Sequence, residues 1–285
     1  MTKKAVLVGI NKYVAFPDNC LNGCVNDILD MRDALINHYE FNNDNIRVVT
    51  DERATKQNIM DRLHWLISDI HEGDTILFHY SGHGSQVRLR DNSGKLNSYL
   101  DELICPTNMN FDDPSTFIID REFRDLFNFV PQGVIFDVVF DCCHSGSGTR
   151  DLLNPMDEHK CKSKFLEPPL DFKLRDSGDL ETNRIFGHLF DHIFKADRAI
   201  QDPMPKSHVL NAACRVDQTS ADAFLDGRYN GAFTYYFLKL LHQNSFKLTR
   251  STLSAKTAQS LKVNGFSQKP QLEGPSERKG KFFLS

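Results

Sequence analysis

Two short stretches of this chain hold the residue types of thiol chemistry: His79-Tyr80-Ser81-Gly82-His83-Gly84 and Asp141-Cys142-Cys143-His144-Ser145-Gly146. A thiol with an ordinary pKa of roughly 8.5 becomes a useful nucleophile near neutral pH when an imidazole accepts its proton or stabilises its thiolate. His83 and Cys143 are the candidate pair, and acyl transfer through a thioester is the chemistry they would serve. They lie far apart in sequence, so the fold has to bring them together. Each stretch follows an apolar run, Thr75-Ile76-Leu77-Phe78 and Val134-Ile135-Phe136-Asp137-Val138-Val139-Phe140. These runs are short, β-branched or aromatic and nearly continuous, the pattern of strands buried on both faces. Parallel strands in one sheet would deliver the residues just past their carboxyl ends to one edge, where open α/β sheets place their ligands.

The remaining patterning supplies the elements such a sheet needs. Ala5 to Ile10 reads as a strand, Val25, Ile28, Leu29, Met31 and Leu35 recur at helical spacing, and Ile46 to Val49 reads as a strand again. Ile59, Leu63, Leu66, Ile67 and Ile70 mark a second amphipathic helix with Thr55 as its cap. A third helix is expected near Arg121 to Phe129. Pattern decays between 150 and 206, around Glu167-Pro168-Pro169 and Asp202-Pro203-Met204-Pro205, which reads as a loop-rich insertion with a short helix over Ile185 to Ala199. Beyond it, His208 to Ala213 reads as a strand, Gly231 to Leu241 as a helix and Lys281 to Leu284 as a last strand. The fold class is therefore α/β, with a mostly parallel central sheet of about six strands or more and helices on both faces. The chain divides into 1–149, the insertion 150–206 and 207–285, all within one domain.

The two motifs together resemble those of metacaspases, caspase-fold peptidases. Tyr80-Ser81-Gly82-His83-Gly84 matches that family's histidine motif and Asp141-Cys142-Cys143-His144-Ser145-Gly146 its cysteine motif. The resemblance continues through Gly23-Cys24-Val25-Asn26-Asp27 and Asp217-Gln218-Thr219-Ser220-Ala221-Asp222-Ala223. One departure is Cys142, where the family usually has Ser. The resemblance implies a caspase-like fold and a cysteine endopeptidase in which Cys143 attacks and His83 manages protons. It implies that the backbone amides of Gly84 and Cys143 hold the oxyanion. Asp27, Ser81 and Asp141 fall at the family's acidic specificity pocket, which would select Arg or Lys and repel Asp. It also implies activation by calcium: Asp101 and Glu102 resemble the paired acidic ligands, with Asp91 and Asp151 as further candidates. Six to eight oxygens with several carboxylates are what calcium requires. No organic cofactor is expected.

Bulk properties agree with such an enzyme. The chain of 285 residues is 40% hydrophobic and can bury a substantial core. A net charge of -4 argues against a nucleic-acid binder. Seven cysteines, an odd number without framework spacing, favour a reducing compartment. No run approaches membrane-spanning length and the start shows no secretory signal, so a cytoplasmic protein is expected; the resemblance implies protein or peptide substrates with Arg or Lys at the cut, and a monomer. Arg150, Lys160, Lys162, Arg175, Arg184 and Lys206 place basic residues in the insertion, where an Arg/Lys peptidase would cut itself. Alternatives from other classes are a catalytically silent caspase-fold scaffold, an Asp-specific peptidase, and a metal module on Cys142, Cys143, His144 and His83. The last lacks the spacing of closed zinc sites.

Overall fold

The computed structural model describes residues 1–89, 100–144, 161–169, 208–215 and 218–285. Three strands whose sequences lack alternation form the middle of one sheet: β1 (Lys3–Gly9), β3 (Thr75–Ser81) and β7 (Ile135–Asp141). Nearly all their residues are buried because helices cover both faces. With β2 (Ile46–Thr50), β9 (Val209–Ala212) and β12 (Gln271–Glu273) they make a six-stranded sheet in the order β12-β9-β7-β3-β1-β2. Only β12 runs antiparallel, so the sheet is mostly parallel as expected.

Successive strand residues point to opposite faces, and each face has its own apolar cluster. On one, Ile76, Phe78, Tyr80, Phe136 and Val138 meet α2 (Lys56–Ile67) and α3 (Asp120–Phe127). On the other, Ala5, Leu7, Leu77 and Val139 join α1 (Cys24–His38), α4 (Ala232–Gln243) and α5 (Arg250–Val263). Thr55 caps α2 as expected, its hydroxyl accepting from the Asn58 amide at 3.3 Å. Asp137, in the middle of β7, is buried against Arg250, whose Nε donates to Oδ1 at 2.6 Å.

Lys281–Leu284 is not the closing strand that its apolar pattern suggests. It follows a short helix α6 (Ser276–Lys279) and forms one isolated bridge, Thr249 with Phe282. Phe283 is buried in the cluster of α4 and α5, and the Leu284 amide donates to Asp137 Oδ2 at 3.2 Å. The run is apolar because it plugs the core. The helix expected over Ile185 to Ala199 lies outside the described residues.

Two small antiparallel sheets flank the edge that matters. One is built from β4 (Gly84–Val87), β5 (Asp101–Ile104) and β6 (Ile118–Ile119). The other has the order β11-β10-β8, from β8 (Cys161–Ser163), β10 (Ala221–Leu225) and β11 (Arg228–Gly231).

Candidate active site

Register explains how the two motifs meet. Ser81 ends β3 and pairs with Asp141, which ends β7, so His83 and Cys143 each lie two residues past a matched pair of strand ends. The turn carrying His83 is held from several sides. Tyr80 Oη donates to the His83 carbonyl at 2.6 Å, and the His83 amide donates to Tyr13 Oη at 2.7 Å. The Tyr13 ring lies 4.7 Å from the imidazole. His83 Nε2 lies 2.6 Å from the Asn19 carbonyl. A carbonyl only accepts, so Nε2 carries the proton and Nδ1 presents a lone pair. Nδ1 is buried and makes no hydrogen bond among the described residues. Burial lowers the ring pKa to about 4 against the opposing pull of the Asn19 and Lys164 backbone, so the imidazole is neutral near pH 7.

Asp27, Ser81 and Asp141 come together as expected, all wholly buried. Asp27 stands in the first turn of α1, where its carboxylate accepts the Gly231 amide at 2.9 Å, Asn230 Nδ2 at 3.1 Å and Ser81 Oγ at 2.7 Å. Asp141 accepts Ser220 Oγ and Thr234 Oγ1, each at 2.7 Å, and the Thr234 amide at 3.0 Å. Gly231 leaves the room for this: a Cβ there would collide with both carboxylates.

The pocket is filled by the chain's own Lys164, which is 0% exposed. Its Nζ lies 3.1 Å from Asp141 Oδ1, 3.3 Å from Asp27 Oδ2 and 2.9 Å from Ser81 Oγ. Burial pulls the ammonium pKa down, but Asp141, Cys24, Asp27 and Asp222 together raise it well above the usual lysine range, so it stays charged. Burial pushes Asp27 up to about 7, which Lys164 restrains. Asp141 ends below its usual value: burial opposes ionisation, while Lys164, Ser220 and Thr234 favour it more strongly.

The backbone of Lys164 is gripped as well. Its amide donates to the Ser220 carbonyl at 2.9 Å. Its carbonyl accepts the Gly84 amide at 3.0 Å and the Cys143 amide at 3.3 Å. These are the two amides expected to form an oxyanion hole. Gly84 permits the approach, since a Cβ there would strike the Cys143 carbonyl. Upstream, β8 adds to the edge of β10 with Ser163 opposite Ala221 and Cys161 opposite Ala223. Strand addition with one deep side-chain pocket is the way extended peptides are recognised.

Cys143 is wholly buried. Its thiol faces Ser220, donating to the carbonyl at 3.5 Å and receiving the Ser220 amide, and no hydrogen bond joins it to His83. Cys142 Sγ lies 3.7 Å from His144 Nε2, and burial raises its pKa well above the ordinary thiol value. His79 is buried beside Thr234, and burial lowers its pKa to about 3.

Residues 3–152 match the family described as "Metacaspase, peptidase C14 domain". The chain belongs to the metacaspase family. Metacaspases are caspase-like cysteine peptidases, and relatives are found across fungi and plants. Metacaspase-1 of Scheffersomyces stipitis is 30% identical over 296 residues, covering 95% of this chain and 70% of that protein. Metacaspase-9 of Arabidopsis thaliana is 29% identical over 332 residues, covering 100% and 98%. A crystal structure of a Geobacter sulfurreducens protein shares the fold with a TM-score of 0.67 at 21% identity, covering 99% of this chain and 97% of that one.

In this metacaspase the acidic pair Asp101 and Glu102 sits in β5, and Asp101 is ion-paired to Arg121 at 3.0 Å. A cation at Asp101 would compete with that guanidinium. Among the described residues no three His, Cys, Asp or Glu side chains gather to hold a metal ion. Asp91 and Asp151 lie outside the described residues, and those present do not by themselves make a calcium site. The same absence, among the described residues, meets the zinc reading of Cys142, Cys143, His144 and His83.

Sequence reasoning missed Lys164. Of the basic residues it named in the insertion, Lys162 is described, and its Nζ reaches the Cys20 carbonyl at 2.6 Å. Arg150, Lys160, Arg175, Arg184 and Lys206 lie outside the described residues. Nothing local distinguishes Lys164 from Lys162. The Asp217–Ala223 motif did carry a signal: Ser220 serves both Lys164 and Cys143, while Asp222 accepts the Asn22 and Gly23 amides at 2.7 and 2.9 Å and fixes the entry to α1.

The pocket charges predict a pH-dependent stability. Lys164 lowers the folded-state pKa of both Asp27 and Asp141. Asp27 already stands above its unfolded value, and without Lys164 it holds its proton more tightly still in the folded chain. Its contribution is present at low pH and lost as pH rises through the folded-state pKa, and the Asp141 carboxylate then loses its cation. In a Cys143→Ala background, Lys164→Met is expected to lower the melting temperature more at about pH 8 than at about pH 5, a loss of roughly 3 kcal/mol at the upper end. Scanning calorimetry at both values checks this, and a pH-independent gap contradicts it.

Proposed function

We propose that this metacaspase is a cysteine endopeptidase that cuts after Lys or Arg, and that its first substrate is its own Lys164–Phe165 bond. One observation carries the reading: Lys164 puts its ammonium between two carboxylates while its carbonyl oxygen rests on the Gly84 and Cys143 amides. In the proposed reaction the Cys143 thiol turns from Ser220 to the Lys164 carbonyl carbon, and its proton passes to His83 Nδ1. The S–C bond forms, and the carbonyl oxygen takes the negative charge. Two amides on that oxygen are worth roughly 3 kcal/mol or more of transition-state stabilisation. Collapse breaks the C–N bond, and His83 returns the proton to the departing Phe165 amine. Water, deprotonated by His83, then hydrolyses the thioester, leaving a Lys164 carboxylate and a free thiol.

The pocket supports the preference. A guanidinium or ammonium finds two carboxylates and a hydroxyl, whereas an aspartate would meet like charge. Short fluorogenic peptides ending in Lys, Arg or Asp test it directly. Asp27→Asn is expected to lower kcat/KM for Lys peptides by about 10² to 10³, the consequence of removing one partner of a desolvated charge pair. Equal rates for native and variant would remove Asp27 from the pocket. Calcium has no part in these steps. As an activator implied by resemblance it is tested in the same assay, where rates unchanged between added calcium and a chelator would exclude it.

A further inference from the structure

The segment beyond Lys164 is held as firmly as the lysine. The Leu166 amide donates to the Gly84 carbonyl at 2.9 Å, and the Leu166 carbonyl accepts Ser85 Oγ at 2.7 Å. Phe165 forms a parallel bridge with Gly84. Exposure alternates sharply here: Phe165 is half-buried, Leu166 is 1% exposed, and Glu167 is exposed. The Leu166 side chain joins the apolar cluster that contains Val87 and Leu103 of the neighbouring small sheet. Ser85 is itself wholly buried, so the cleft keeps a desolvated hydroxyl aimed at this peptide carbonyl. On the other side of the bond, Lys162 and Ser163 are exposed.

We propose that the cleft selects substrates on both sides of the cut, requiring an aliphatic residue two positions after the Lys or Arg, where Leu166 stands in this chain. The inference rests on reading Lys164–Phe165 as the scissile bond. Backbone pairing supplies sequence-independent grip, and the two buried side chains supply the choice. Gly84 links the two choices. Its amide holds the carbonyl to be attacked, and its carbonyl holds the amide of the aliphatic residue, so seating that residue also aims the oxyanion donor. Binding energy from a position remote from the reacting atoms then appears in the rate of the chemical step.

The test uses internally quenched peptides Lys-Ser-Lys-Phe-Xaa-Glu, with Xaa as Leu, Ala or Asp, and the full chain as enzyme. Burial of the extra methylenes of Leu is expected to raise kcat/KM about tenfold or more over Ala, and burying a carboxylate makes Asp slower by about another tenfold or more. Leu166→Ala in the chain is expected to slow cleavage of its own Lys164–Phe165 bond by a similar factor. Equal rates for all three peptides overturn the inference and leave the scissile bond assigned. A Lys–Phe bond left intact in every peptide overturns both readings.

Discussion

Lys164→Gln is expected to leave the purified chain in one piece under conditions in which the native chain, on the proposed reading, should separate into 1–164 and 165–285. Glutamine has the length to enter the pocket but brings no charge to Asp27 and Asp141, which hold the ammonium at 3.3 and 3.1 Å. Losing one partner of such a desolvated pair costs about 2 to 5 kcal/mol, or roughly 30- to 4000-fold in rate if the interaction persists in the transition state. Lys164→Arg keeps the charge and is expected to be cut. A gel time course gives the rates, and sequencing of the new amino terminus reads Phe165 first. Cleavage of Lys164→Gln at the same bond and the native rate would show that the pocket does not direct the cut.

The largest loss is expected from Cys143→Ala, which should lower peptide hydrolysis by about five to six orders of magnitude, as removal of a nucleophile does in other hydrolases. The fold should tolerate it, because the thiol's partners are the Ser220 backbone and the neighbouring Cys214 thiol, and the amide that holds the Lys164 carbonyl remains. Cys142 is a poor substitute: its side chain faces His144 and its thiol is held protonated by burial. Assaying Cys142→Ser beside it separates the two thiols. If Cys143→Ala kept activity within about tenfold while Cys142→Ser lost it, the nucleophile would have been misassigned.

What the sequence made legible follows from locality. Apolar runs without alternation marked β1, β3 and β7, because strands buried on both faces read as near-continuous apolar runs rather than as alternating ones. The paired strand ends then explain why His83 and Cys143 lie at the same edge of the sheet. Asp27 was reachable through resemblance, although Gly231, Asn230 and Ser81, which hold its carboxylate, come from two other parts of the chain. The role of Lys164 was hidden because it depends wholly on a distant pocket. Phe283 misled for the opposite reason: an apolar run that plugs a core and one that adds to a sheet look alike over four residues.

The lysine in the pocket also changes how this molecule counts its surroundings. A tethered ligand acts at an effective concentration that short linkers set in the millimolar range, independent of how much protein is present. A soluble substrate at micromolar concentration therefore competes against a far more abundant rival that never diffuses away. On the proposed reading, breaking the Lys164–Phe165 bond would be a unimolecular event with a rate indifferent to dilution, and afterwards the rival would be a chain end released from one side. Substrate turnover in a population of these molecules would accordingly begin with a lag whose length reports the first cut rather than the supply of substrate.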